Sequence, residues 1–191
     1  MDMSSGTRDE PPATGTELGA LPQGAWRVSS ERSRIGFKVR KMGLYFVKGT
    51  FRRVTGSIAI GADGRPAGGW LRIDASSVST RMPPRDWHLR TRDFLAAREH
   101  PEIRVAVERV EQAPGEAMHV PALVTVRGVE TRMPLIAHWH ASERADGNAT
   151  VLHVAGTVDR RELGVRPRRP VDWIVGRDIH LDAVLHLEPD R

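Results

Sequence analysis

From Trp26 to the C-terminus, apolar and polar residues alternate with a period of two, the pattern of strands that bury one face and wet the other. Ile35, Phe37 and Val39 alternate with Arg34, Gly36, Lys38 and Arg40, and Leu71, Ile73 and Ala75 with Trp70, Arg72 and Asp74. Ile103, Val105 and Val107 alternate with Arg104, Ala106 and Glu108. The last segment is the most regular: Ile179, Leu181, Ala183, Leu185 and Leu187 share one face, and His180, Asp182, Val184 and His186 the other. Val54, Gly56, Ile58 and Ile60, and residues 118–127, 132–141 and 150–158, supply further strands. Turn chemistry separates them at Gly61-Ala62-Asp63-Gly64, Ala113-Pro114-Gly115, Gly128 and Asp146-Gly147-Asn148.

About eight strands at such short spacing predict an all-β, antiparallel barrel or sandwich rather than βαβ units. Periodicity does not choose between the two. A short helix is expected near residues 84–98, where Pro84 suits a first helical turn and Trp87, Leu89 or Arg90, and Phe94 fall at near-helical intervals.

With no cysteine, the chain has no disulfide, thiolate metal site or cysteine nucleophile, so packing must hold the fold together. At 191 residues one domain, here residues 24–189, is the natural division, since two halves would each be marginal. No apolar run approaches the length of a transmembrane helix. Residues 1–23, rich in Pro, Gly, Ser, Thr and acidic side chains, read as a disordered tail. They lack the basic start and apolar stretch of a secretory signal, so a cytoplasmic location is expected.

The net charge of +5 is compatible with an anionic lipid surface, with nucleic acid, or with solubility alone. Nucleic acid is the weakest of these, because aromatic residues make up 5% of the chain and no helix-turn-helix, zinc finger or RNP-type motif accompanies the charge.

Three clusters could carry chemistry. Arg85, Asp86 and His88 resemble an acid–base group, but no recognisable nucleophile sits beside them, and capping and ion pairing explain them equally well. His138 and His140 would share one strand face, yet no third ligand has suitable spacing, so no metal site and no cofactor are expected; both histidines should point outward. Arg160, Arg161, Arg166, Arg168 and Arg169 crowd a loop-like segment that either contacts phosphate or is simply solvated. Asn148-Ala149-Thr150 matches a glycosylation acceptor that a chain without a secretory signal would not present.

Four blocks of residues resemble the YceI-like family of lipocalin-like, polyisoprenoid-binding proteins. They are Ser33 to Leu44 with Val47-Lys48-Gly49-Thr50-Phe51, Asp74 to Thr80, Arg85 to Ile103, and Arg160-Arg161-Glu162-Leu163-Gly164. Two departures accompany them: Ala122-Leu123-Val124-Thr125 stands where the family has Gly-Asp-Leu-Thr, and Glu162-Leu163 where it has Asp-Phe.

The resemblance implies a lipocalin-like, up-and-down β-barrel of about eight strands, with a short helix over one side and a hydrophobic channel for an isoprenoid chain. The expected partner is a polyisoprenoid, an isoprenoid quinone or another long-chain lipid. From the inward faces of the strands, the candidate lining residues are Phe37, Val39, Met42, Leu44, Phe46, Leu71, Ile73, Val105, Val107, Leu135, Ala137, Trp139, Leu181 and Leu185. Arg85 and Arg160 are the candidates for a polar head group. The rival readings are an enzyme centred on Arg85, Asp86 and His88, and a barrel packed solid that binds nothing. Trp26, Trp70 and Trp173 are either core or a partner surface, which leaves a homodimer open.

Overall fold

The structure, a computed structural model, describes residues 21–112, 117–141, 150–168 and 171–190. Most of the tail at 1–23, the turns at Ala113-Pro114-Gly115 and Asp146-Gly147-Asn148, and Arg169 lie outside the described residues.

Among the described residues twelve strands follow one another: β1 (Gly24–Val28), β2 (Arg34–Lys41), β3 (Tyr45–Phe51), β4 (Val54–Ile60), β5 (Pro66–Asp74), β6 (Val78–Ser79), β7 (Glu102–Val107), β8 (Glu111–Gln112), β9 (Ala117–Val126), β10 (Val129–Ala141), β11 (Thr150–Asp159) and β12 (Val175–Pro189). Eight of them close an antiparallel barrel in the order β1-β4-β5-β7-β9-β10-β11-β12, and β12 returns to β1 through pairs such as Val28 with Leu187. This is the barrel alternative left open by the alternation. β12 is long enough to have two neighbours, β1 along its C-terminal end and β2 along its N-terminal part, where Val39 faces Ile179. The β2–β3 hairpin therefore extends the wall beyond the ring, and β6 pairs with β3.

Helix α1 (Pro83–Arg90) is shorter than the expected span of 84–98. Two prolines start it where missing N–H groups cost nothing. Thr91 stops it: its amide and hydroxyl both donate to the His88 carbonyl, at 3.1 and 2.7 Å, and its backbone turns extended. Residues 91–99 continue as hydrogen-bonded turns that place Phe94 against the barrel interior. A one-turn helix, α2 (Val171–Ile174), precedes β12.

Inside the barrel, three bulky inward residues each face a glycine on the neighbouring strand: Phe37 opposite Gly49, Leu71 opposite Gly56 and Leu135 opposite Gly156. A Cβ on any of these glycines would collide with the side chain across from it. The Phe37 ring and the two leucines thus lie over bare backbone, and space remains along the axis.

Candidate functional site

That space is a cavity of about 660 Å³, within the range of pockets that hold cofactors and other small ligands. β5, β7, β9, β10 and β12 tell the same story along their lengths. Ile73 and Leu71 on β5, Ile103 and Val105 on β7, Val126 and Val124 on β9, Met133 and Leu135 on β10, and Ile179, Leu181, Ala183 and Leu185 on β12 line the cavity. One step further, Gly69, Val107, Val120 and Ala137 line a second void of about 60 Å³. Beyond that the interior is filled, with Trp26, Trp139 and Leu187 all buried. The barrel is hollow at one end and plugged at the other.

The hollow end lies under α1. Pro84, Arg85, His88 and Leu89 present one face of that helix to the cavity, joined by Met82 and Phe94. Leu163, Val165, Val171 and Ile174 close another side, and the last residues of β2, Arg40 and Lys41, reach the edge. Exposed Met82, Arg40 and Lys41 mark where the cavity meets solvent. Among the described residues its polar lining is Arg40, Lys41, Arg85, His88 and Arg160, with no carboxylate or hydroxyl side chain beside them. The interior is apolar and its rim is basic.

Of the expected lining residues, Phe37, Val39, Leu71, Ile73, Val105, Leu135, Leu181 and Leu185 face the large cavity. Val107 and Ala137 face the small void, and Trp139 belongs to the plug. Met42, Leu44 and Phe46 are corrected: Met42 and Leu44 sit in solvent at the β2–β3 turn, past the interior, and Phe46, paired with Arg40, lies on the outer face of β3, while its neighbour Val47 takes the cavity side. Ile35, Ile179 and Ala183 also line the cavity and share the same alternation. The contributions of Met82, Leu163, Val165, Val171 and Ile174 had no periodic signal, since they come from turns and a one-turn helix, and Phe94, spaced as if on the helix, reaches the cavity from the turns after it.

The two head-group candidates differ sharply. Arg160 is 1% exposed and its guanidinium is spent on the protein itself. Nε donates to Gly176 O at 3.1 Å, Nη1 to Val165 O at 2.9 Å, and Nη2 to the carbonyls of Asp172 and Val175 and to Asp172 Oδ1 at 2.7 Å. Pairing between β12 and β2 is interrupted between Val175 and Ile179, and Arg160 takes up carbonyls freed at that irregularity. Its hydrogen bonds, with the Arg160 and Arg161 charges, hold the Asp172 carboxyl below the ordinary aspartate range, against the opposing effect of burial. Arg160 pins residues 160–168 and 171–176, so these described residues are packed rather than a solvated loop, with Leu163 and Val165 buried and Arg166 and Arg168 outside. Arg85 is half-buried at the rim; Nε and Nη2 donate to Thr80 Oγ1 at 2.7 Å and Thr80 O at 3.1 Å, leaving Nη1 without a partner among the described residues.

Asp86 and His88 do not form an acid–base pair. The buried Asp86 carboxylate accepts from Thr80 N at 2.6 Å and from the Thr80 hydroxyl. Burial works to raise this carboxyl, but the Thr80 bonds, Ser79 and the Arg90 charge outweigh it and hold the group below the ordinary range. His88 instead stacks edge-on against Phe94 at 5.1 Å, with Asp93 Oδ2 at 3.7 Å from Nε2. Of the three, Arg85 and His88 line the cavity, while Asp86 turns to Thr80 and is spent there. His138 is exposed, and among the described residues no three His, Asp or Glu side chains converge.

Comparison with known proteins places this architecture. A protein of Pseudomonas savastanoi pv. phaseolicola described as UPF0312 is 21% identical over 154 residues, covering 78% of this chain and 80% of its own. Among solved structures, Burkholderia cenocepacia BcnA superposes with a TM-score of 0.74 at 14% identity, covering 83% of this chain and 98% of that one. A polyisoprenoid binding domain from Saccharophagus degradans gives 0.68 at 16% identity over 86% and 98%. The Campylobacter jejuni YCEI protein gives 0.68 at 19% identity over 99% and 100%. The model of the YceI-like domain matches residues 26–187, the whole of the closed barrel save its outermost residues, and the chain belongs to the YceI-like family.

Proposed function

We propose that this protein is a non-catalytic carrier that holds a polyisoprenoid, an isoprenoid quinone or a similar long-chain lipid inside its barrel. The observation that carries the reading is the unbroken apolar lining of the cavity, with charge confined to its rim and to the self-satisfied Arg160. Each methylene moved from water to such an interior contributes about 0.8 kcal/mol, so three isoprene units contribute roughly 12 kcal/mol. Association and ordering cost about 4 to 15 kcal/mol, which leaves room for useful affinity once several units are buried. Among the described residues no carboxylate or hydroxyl lines the cavity, which favours binding over chemistry. The rim suits a polar or anionic head near Arg85.

Native mass spectrometry of the freshly purified full chain tests this. A discrete added mass matching a prenyl lipid is expected. A bare-protein mass, both as purified and after incubation with prenols of several lengths, would overturn it.

A further inference from the structure

The tip of the β2–β3 hairpin is unusually ill-suited to water. Six consecutive residues, Lys41 to Phe46, are exposed; Met42 is 62% and Leu44 78% exposed, with Tyr45 and Phe46 beside them. The turn itself places Met42 at φ 53° and Gly43 at φ 70°, and Leu44 N closes it on Lys41 O at 3.2 Å. A left-handed position of this kind favours Asn or Gly, so a methionine there is a locally unfavourable choice that puts a long apolar side chain at the apex. Met42 N also donates to Ile174 O at 2.8 Å, which brings α2 and its 72% exposed Trp173 alongside. Met82, half exposed, lines the same cavity mouth.

Charge accompanies this patch. Between Arg34 and Phe51 stand Arg34, Lys38, Arg40, Lys41 and Lys48 with no carboxylate, a local charge equal to the +5 of the entire chain. All three lysines of the protein are on this hairpin. Lys38 and Lys48 face each other directly across the strands, a like-charge pair that is unfavourable unless an anion lies near. Phe46 sits among them, 5.0 Å from Lys38 Nζ and 5.3 Å from the Arg40 guanidinium carbon. Of the nearby acids, Asp172 is engaged by Arg160 and Arg161 and Asp93 by His88 and Arg168, while Asp182 on β12, opposite Gly36, shares the outer face with Arg34 and Lys38 away from the tip.

We propose that the β2–β3 tip is a docking element for an anionic bilayer surface, with Met42, Leu44 and Tyr45 entering the headgroup boundary and the lysines and arginines behind them meeting lipid phosphates. Apolar apex and basic flank are the two components of interfacial binding, and long basic side chains reach phosphates while their stems stay in the apolar layer. Docking in this orientation sets the cavity mouth against the membrane. The inference goes beyond the carrier reading and does not depend on what fills the barrel.

Co-sedimentation of the full chain with vesicles free of any prenyl lipid is the test. Phosphatidylcholine vesicles containing phosphatidylglycerol should bind it at least about tenfold more strongly than phosphatidylcholine alone, and raised salt should weaken binding. Met42→Ser with Leu44→Ser, and separately Lys38→Gln with Lys48→Gln, should each lower partitioning at least about fivefold, while Ile136→Ser on the outer wall should leave it unchanged. Unaltered partitioning of both double variants would overturn the proposal. So would a dimer in sedimentation velocity that the Met42/Leu44 variant dissociates without affecting vesicle binding, since a second copy would then be the occupant. Because the readout is protein on lipid-only vesicles, failure here leaves the carrier reading standing, and a bare mass in native spectrometry leaves this one standing.

Discussion

The carboxylate of Asp86 and the backbone amide of Thr80, six residues earlier in the chain, meet at 2.6 Å, and the Thr80 hydroxyl bonds the same oxygen. This pair fastens α1 to the strand it follows and so holds the lid of the cavity. Asp86→Ala leaves the buried Thr80 amide without an acceptor and should destabilise the fold by about 2 kcal/mol, roughly 4 to 8 °C in Tm. His88→Gln should change Tm by much less. Because the Asp86 carboxyl is held below its unfolded value, its contribution is complete above about pH 4 and is lost as pH falls toward the folded pKa. Thermal melts across acid pH, compared with Asp86→Asn, check the sign.

Arg160 and Arg85 should separate cleanly by experiment. Arg160→Ala strands the carbonyls of Val165, Val175 and Gly176 and should cost about 3 kcal/mol, with Arg160→Lys recovering little because an ammonium lacks the fork. Arg85→Ala should leave stability within about 1 kcal/mol, yet weaken prenyl pyrophosphate binding more than prenol binding. Denaturant titrations and ligand competition give both answers.

Ala183 lines the cavity between Leu181 and Leu185, where a larger side chain fills empty space instead of displacing neighbours. Ala183→Phe should shorten the longest prenol retained in native mass spectra while Tm holds or rises. For the unaltered protein, affinity should climb with prenol length and level off once the hollow is full, later units projecting from the mouth. A short and a long prenol of equal affinity would argue against a confined channel.

His186 Nδ1 is buried without a partner among the described residues. Burial first, then Arg32 and His153, push this imidazole below its ordinary value, with Glu188 opposing. The unfolded chain therefore binds the proton more readily. Stability is complete above about pH 6.5 and declines as pH falls toward the folded pKa. His186→Gln should flatten this part of the Tm-against-pH curve.

Much of the architecture was legible because burial on one face of a strand writes itself as alternation: Ile35-Phe37-Val39 and Ile179-Leu181-Ala183-Leu185 both read inward and both line the cavity. The helix start was equally plain from its prolines. Its end was not, since Thr91 terminates it through a hydroxyl bond to His88 O that no spacing announces. Met42 and Leu44 continued the apolar theme past the last inward position, where alternation carries no sign that a strand leaves its barrel, and Phe46 faces outward because register sets it opposite Arg40. Arg160 gave no sequence signal of burial, because its partners are backbone carbonyls and an aspartate twelve residues on.

The sequence by itself determined an antiparallel, one-face-buried β-protein with a helix near Arg85, a basic β2–β3 segment and the residue blocks of its family. Whether that interior is hollow was decided by tertiary structure alone. Gly49, Gly56 and Gly156 are distant from Phe37, Leu71 and Leu135 along the chain, and only strand register sets each glycine beneath its bulky partner. Register is a relation between strands, and the same alternation slipped by two residues would keep every face while moving those side chains off their glycines and into the space now open.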